Sequence, residues 1–171
     1  MKKLSGLAAV SLLASGCTAV GPQPGLEGGV RQTAATVLMP LDPRQRSFQE
    51  DWGFAQAVIV GDTIYLSGIV VEKRPNDADL TASYERTYRE IGDILARAGA
   101  TWDDVVDISS FHTDVKAQIQ SMVAVQKRFI KAPYPAWTAI GGTQILGDGI
   151  TEIKIVAKRG ALLRRGHLAK S

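Results

Sequence analysis

Seven side chains between residues 80 and 98 recur at the spacing of one helix face: Tyr84, Thr87, Tyr88, Ile91, Ile94, Leu95 and Ala98. A stripe of that length has to be laid on another hydrophobic surface. The flanking sequence says which kind. The runs AQAVIV and TIYLSG precede it and DVVDISSFHT follows it, all rich in β-branched or aromatic residues. A helix that joins two strands packs back onto their sheet as a crossover. Asp79 or Thr81 can cap the start of this helix, and Gly99 stands where a left-handed C-terminal residue is wanted.

The same arrangement follows a second time. A strand is predicted over residues 105–113. After Asp114 comes a helix with Ile119, Met122, Val123, Gln126, Phe129 and Ile130 on its apolar face, and Pro133 lies beyond its end. Two last strands, over 137–145 and 150–158, flank Gly147-Asp148-Gly149. Gly61-Asp62 separates the first two β-prone runs as a two-residue hairpin turn, and EKRPNDAD reads as a loop. The predicted order is β-β-α-β-α-β-β, an α/β domain with a mixed sheet and two helices on one face. At 171 residues, 45% of them hydrophobic, the chain is sized for one domain with a real core and too short for two.

The N-terminus has a different logic. MKKLSGLAAVSLLASGC places Lys2 and Lys3 before an apolar run that is too short to span a bilayer, followed by small residues. This is the layout of a signal peptide over residues 1–16. Ala14-Ser15-Gly16-Cys17 resembles a bacterial lipobox, with Ala14 where that motif usually carries Leu; the expectation is cleavage before Cys17 and lipidation of its thiol. An ordinary secreted protein with a chance cysteine is the plainer alternative. Cys17 is the single cysteine, so no intrachain disulfide is possible. Residues 17–35, small and rich in Pro and Gly, read as a lipidated tether, 36–160 as the domain and 161–171 as a basic tail. That tail reads as a solvated terminus or as a contact for an anionic surface. The expected location is the bacterial cell envelope, lipid-anchored and facing the periplasm.

Charge and motifs exclude several chemistries. The chain has 20 Lys plus Arg against 17 Asp plus Glu, and loss of residues 1–16 takes Lys2 and Lys3, leaving 18 against 17. A near-neutral mature chain does not predict nucleic-acid binding. Cys and His are too few for a usual zinc site, and neither a metal nor a cofactor is expected. There is no G-x-S-x-G, no H-E-x-x-H and no phosphate-binding glycine loop. His112 falls on a strand and reads as a structural polar residue or as a base. The serines have no evident histidine partner.

Four stretches in order, VGDTIYLSG, GATWDDVVDISSFHTDV, YPAWTAIG and TEIKIVA, resemble the RidA/YjgF family, also called L-PSP. The resemblance runs over residues 54–159. It implies a chorismate-mutase-like α/β fold and a homotrimer with a small-molecule cleft between subunits. In the catalytic branch it implies hydrolysis of reactive 2-imino and 2-enamino acids to 2-keto acids and ammonia. Glu152 matches the family's glutamate and Gly68, after Ser67, a glycine lining the cleft. Trp137 stands where the catalytic branch has the arginine that clamps the substrate carboxylate, and Phe54 where it has a tyrosine. Ile69 replaces a polar residue.

On pattern alone, Glu152 is a solvated strand residue, Ser67 a turn residue and Trp137 either core or a stacking surface. Thr138 is a possible donor to a ligand. An indole in place of a guanidinium favours flat or cationic groups, by contacts of about 0.5–2 kcal/mol. Two functions follow: an imine/enamine hydrolase of altered specificity with Glu152 as its catalytic carboxylate, and a non-catalytic small-ligand binder. Endoribonuclease action, the older family label, stands behind both.

Overall fold

The computed structural model describes residues 34–161. Cys17, the expected signal peptide, most of the expected tether and all but the first residue of the expected tail lie outside the described residues. The chain runs β1 (Ala35–Leu38), α1 (Pro43–Trp52), β2 (Ala57–Val60), β3 (Thr63–Leu66), β4 (Ile69–Glu72), α2 (Leu80–Arg97), a 3-10 turn (Trp102–Asp104), β5 (Val105–His112), α3 (Val115–Phe129), β6 (Ala136–Ile140) and β7 (Gly149–Lys158). The α/β architecture is the one expected, enlarged by β1, α1 and β4. The seven strands form one mixed sheet in the order β1-β2-β3-β7-β5-β6, with β4 also paired to β7. Every pairing is antiparallel except β5 with β6.

The α2 stripe is buried as its spacing requires. Tyr84, Thr87, Tyr88, Ile91, Ile94, Leu95 and Ala98 are all buried, and burial of each large aliphatic one contributes about 1.5–3 kcal/mol. Asp79 caps the helix by accepting from the Ala82 N–H. Gly99 takes the left-handed conformation just past its end, at φ 74°. On the predicted face of α3, Met122 and Ile130 are buried and Phe129 packs on the core, while Gln118 and Val125 are buried in addition. The Gln118 amide joins a polar network beneath, described below.

Three local differences from the predicted elements stand out. Ile69–Glu72, of which only Glu72 falls in the predicted loop, pairs with β7 as β4. The sixth strand stops at Ile140 instead of Ile145. Gly141 and Gly142 turn the chain there. A Cβ on Gly141 would overlap the Val115 side chain, and Gly142 has φ 73°. Thr143 then donates from both its N–H and its hydroxyl to the His112 carbonyl. Finally, α1 was unforeseen, although Asp42, Pro43 and Gly53 spell its limits. Asp42 accepts from the Arg44 and Gln45 N–H groups, and Gly53 closes the helix at φ 73°.

Strand alternation separates two sheet faces. On β7, Thr151, Ile153, Ile155 and Ala157 are fully buried, and Thr151 bonds to Tyr84 of α2. That is the helix-covered face. Glu152, Lys154 and Val156 point the other way.

Candidate functional site

The site begins at a break in a strand. β3 and β4 lie along successive parts of β7, with Tyr65 opposite Val156 and Ile69 opposite Ile153. Between them the ladder is interrupted at Ser67 and Gly68. Ser67 is held by β2's side: its N–H donates to the Gln56 carbonyl at 3.0 Å and its hydroxyl to the Ala55 carbonyl at 2.6 Å. That hydroxyl is therefore committed to the backbone, as its turn-residue reading required. Gly68 has no side chain, and the Glu152 carboxylate fills the space: a Cβ on Gly68 would overlap Glu152 Oε1. Val70 of β4 and Phe111 of β5 flank Glu152 in register. The strand break thus lets a half-buried carboxylate turn over a glycine.

Two cavities meet at this point. One, of about 550 Å³, is lined by Glu152, Gly68, Ser67 and Phe54 together with Phe48 and Gln49 of α1 and Arg86 and Glu90 of α2. Phe54 meets Phe48 edge-on at 6.1 Å between ring centres. The other, of about 600 Å³, shares Glu152, Gly68 and Ser67 and adds Tyr65, Phe111, Ile145 and Lys154. The loop between β4 and α2 is pinned beside the first cavity. Arg86 donates to both oxygens of Asp77 at 2.7 and 3.0 Å and to the Glu72 carbonyl at 2.7 Å. Asp77 also accepts from the Arg74 N–H and the Ser83 hydroxyl. The Arg86 hydrogen bond, more than any other contact, holds the Asp77 carboxyl far below the usual carboxylate range.

Trp137 is elsewhere. It lies in register with the buried Ile108, on the helix-covered face, and its indole N–H donates to the Ser110 hydroxyl at 3.0 Å. It is half-buried, packs on the core and walls a small cavity of about 190 Å³ with Tyr134, Pro135 and Ile130. Within one chain it does not join Glu152. Thr138 lies on the Glu152 face, exposed and opposite Ser109, but it lines neither cavity at the carboxylate. Phe54, Ser67, Gly68 and Glu152 are brought together, and Trp137 and Thr138 are not.

Beneath Trp137 runs a buried polar network. Ser110 reaches His112 Nε2 at 3.0 Å, and His112 Nδ1 reaches Gln118 Oε1 at 3.2 Å. Thr151 bonds to Gln118 and to Tyr84. An amide oxygen only accepts, so His112 carries its proton on Nδ1 and receives the Ser110 hydroxyl at Nε2. Burial pushes the His112 pKa down, opposed by the Gln118 bond. The histidine is fully buried and satisfied, which matches its structural reading.

Residues that the sequence left unremarked include Arg86 and Glu90. Nothing local pointed to Arg86 and Glu90, because only the packing of α2 beside β4 brings them to the cavity.

Known proteins carry the same frame. The family model described as endoribonuclease L-PSP matches residues 45–159. RutC family protein YjgH of Escherichia coli (strain K12) is 32% identical over 117 residues, 67% of this chain and 88% of that protein. A 2-iminobutanoate/2-iminopropanoate deaminase of Dermatophagoides farinae is 26% identical over 107 residues, 60% of this chain and 83% of that protein. The solved structure of protein YjgH superposes with a TM-score of 0.61 at 29% identity, over 72% of this chain and 95% of that one. With the family model covering the folded part from α1 to the end of β7, and the glutamate seated on its glycine, the chain belongs to the L-PSP family, also known as RidA/YjgF.

Proposed function

We propose that the chain is a RidA-family hydrolase acting on imines or enamines, with a specificity altered by the loss of the arginine at position 137. The observation that carries this reading is the Glu152 carboxylate laid over Gly68 at the junction of two cavities. A half-buried carboxylate beside open space can orient a water and take its proton as the oxygen attacks the C=N carbon. The proton then goes to nitrogen, giving a carbinolamine; its hydroxyl gives up its proton to the amine as the C=O forms and the C–N bond breaks, and a 2-keto acid and ammonia leave. One water is consumed and no redox partner is needed. The name of the mite relative supports the reaction class.

Position 137 supports the altered specificity. An indole cannot reproduce a two-pronged, charge-assisted bond to a carboxylate. Losing such a contact costs roughly 1.5–3 kcal/mol, or about one to two orders of magnitude in capture. Activity on the small imino acids of serine and threonine breakdown is accordingly expected to fall below that of an arginine-bearing relative.

The test is ammonia release from freshly generated imino acids by the full chain beside Glu152→Gln. The wild type should exceed the uncatalysed rate, and the variant should lose about 10²-fold or more. Equal rates would remove the reading. The second reading, a non-catalytic binder, is favoured by the distance in the fold between Trp137 and Glu152. It predicts no ammonia above background while small ligands still bind.

A further inference from the structure

Lys154 follows Glu152 by two positions on β7, so both side chains leave the same sheet face, about 6.6–6.8 Å apart along the strand. Ile153 and Ile155, fully buried on the opposite face, fix that alternation. The two charges do not neutralise each other, because no ion pair joins them. Among the described residues the Lys154 ammonium has no hydrogen-bond or ion-pair partner. Both line the 600 Å³ cavity, and among the described residues lining it they are the sole charged ones. Much of the remaining wall is apolar or aromatic: Val58, Tyr65, Leu66, Phe111 and Ile145. Gly68, at the break in the neighbouring strand, leaves the wall beside Glu152 without a side chain.

An anion and a cation held apart in such a cavity ask for a ligand with the opposite pair of charges. A simple amine meets only Glu152, and a simple carboxylate only Lys154. A molecule with nitrogen and carboxylate on one carbon meets both, and the flexible four-carbon lysine stem accommodates their short separation. The apolar wall accepts a hydrocarbon side chain.

We propose that Lys154 is the carboxylate-binding cation of this cleft, taking over in the same chain the task that position 137 cannot perform, and that the cleft takes 2-amino or 2-imino acids with apolar side chains. The nitrogen faces Glu152, the carboxylate faces Lys154 Nζ, and the side chain lies on Phe111 and Tyr65. The assignment rests on the reading of Glu152 given above. A lysine is a point charge, so it captures a carboxylate without fixing its orientation as an arginine fork does.

Isothermal titration of the full chain with the 2-keto acid corresponding to leucine, a stable carboxylate without nitrogen, tests this directly. Lys154→Met should weaken binding roughly tenfold or more, and Lys154→Arg should retain it. Binding of 3-methylbutylamine, which lacks the carboxylate, should survive Lys154→Met unchanged or improved. Lys154 is exposed, so its replacement leaves the core intact, and the amine titration reports on whether the cleft is still formed. Unchanged keto-acid binding in Lys154→Met, or no keto-acid binding by the wild type, overturns the proposal. The two readings fail differently. Keto-acid binding that depends on Lys154, without ammonia release that depends on Glu152, removes catalysis and keeps the anchor. The reverse pattern removes the anchor and keeps catalysis.

Discussion

At the scale of the residue, the decisive contact is between Gly68 and Glu152. A methyl group on Gly68 would occupy the position of the carboxylate. Gly68→Ala should therefore destabilise the fold by about 1–3 kcal/mol, as overpacking does. In a Glu152→Ala background the same change should cost little, since the obstructing side chain is gone. Thermal unfolding of the four proteins of this double-mutant cycle reads the coupling; additive effects would mean that the carboxylate does not rest there. The alternation of Glu152 with Ile153 and Ile155 reveals a strand residue off the core and no more. That it turns over a glycine depends on the break between β3 and β4, for which Ser67 and Gly68 are the local sign but whose position beside Glu152 is set by pairing along β7. Trp137 shows the converse. Its place at the start of a strand was legible, but which face it takes was decided by register with Ile108 and by the Ser110 hydroxyl.

At the scale of the element, the α2 stripe, its cap at Asp79 and the Gly61-Asp62 hairpin were legible because each depends on residues close in sequence. The face of α3 was less so. Its buried Gln118 is polar, and only the network below explains it. The loop between β4 and α2 owes its shape to Asp77, which collects Arg86, the Arg74 N–H and Ser83. Those partners favour the charged carboxylate, so its folded pKa lies below its unfolded one. The stability it confers is then complete above the ordinary aspartate value, about 3.9, and is lost as pH falls further. Asp77→Asn should lower the melting temperature at pH 6–7, with the gap to the wild type closing below about pH 4. A gap that stays constant into acid would count against the pairing. His112 acts separately: its depressed pKa makes the wild type and the variant alike lose stability as pH falls below about 6.5.

At the scale of the whole molecule, helices cover one face of the sheet and leave much of the other open. Val60 and Tyr65 are 41% and 46% exposed. β1 and β6 end the sheet, each with one neighbour. Apolar surface and unpaired strand edges of this kind are what a further copy would cover, and the family resemblance implies three copies. Sedimentation of the full chain at micromolar concentration should give about three times the monomer mass; a clean monomer would sink the trimer and any cleft shared between copies. The sheet also has a keystone. β7 touches β3, β4 and β5 at once, so the strands made before it on the ribosome have no common partner until it emerges. Until residues 149–158 are made, the sheet these pairings describe has no central strand and cannot be closed.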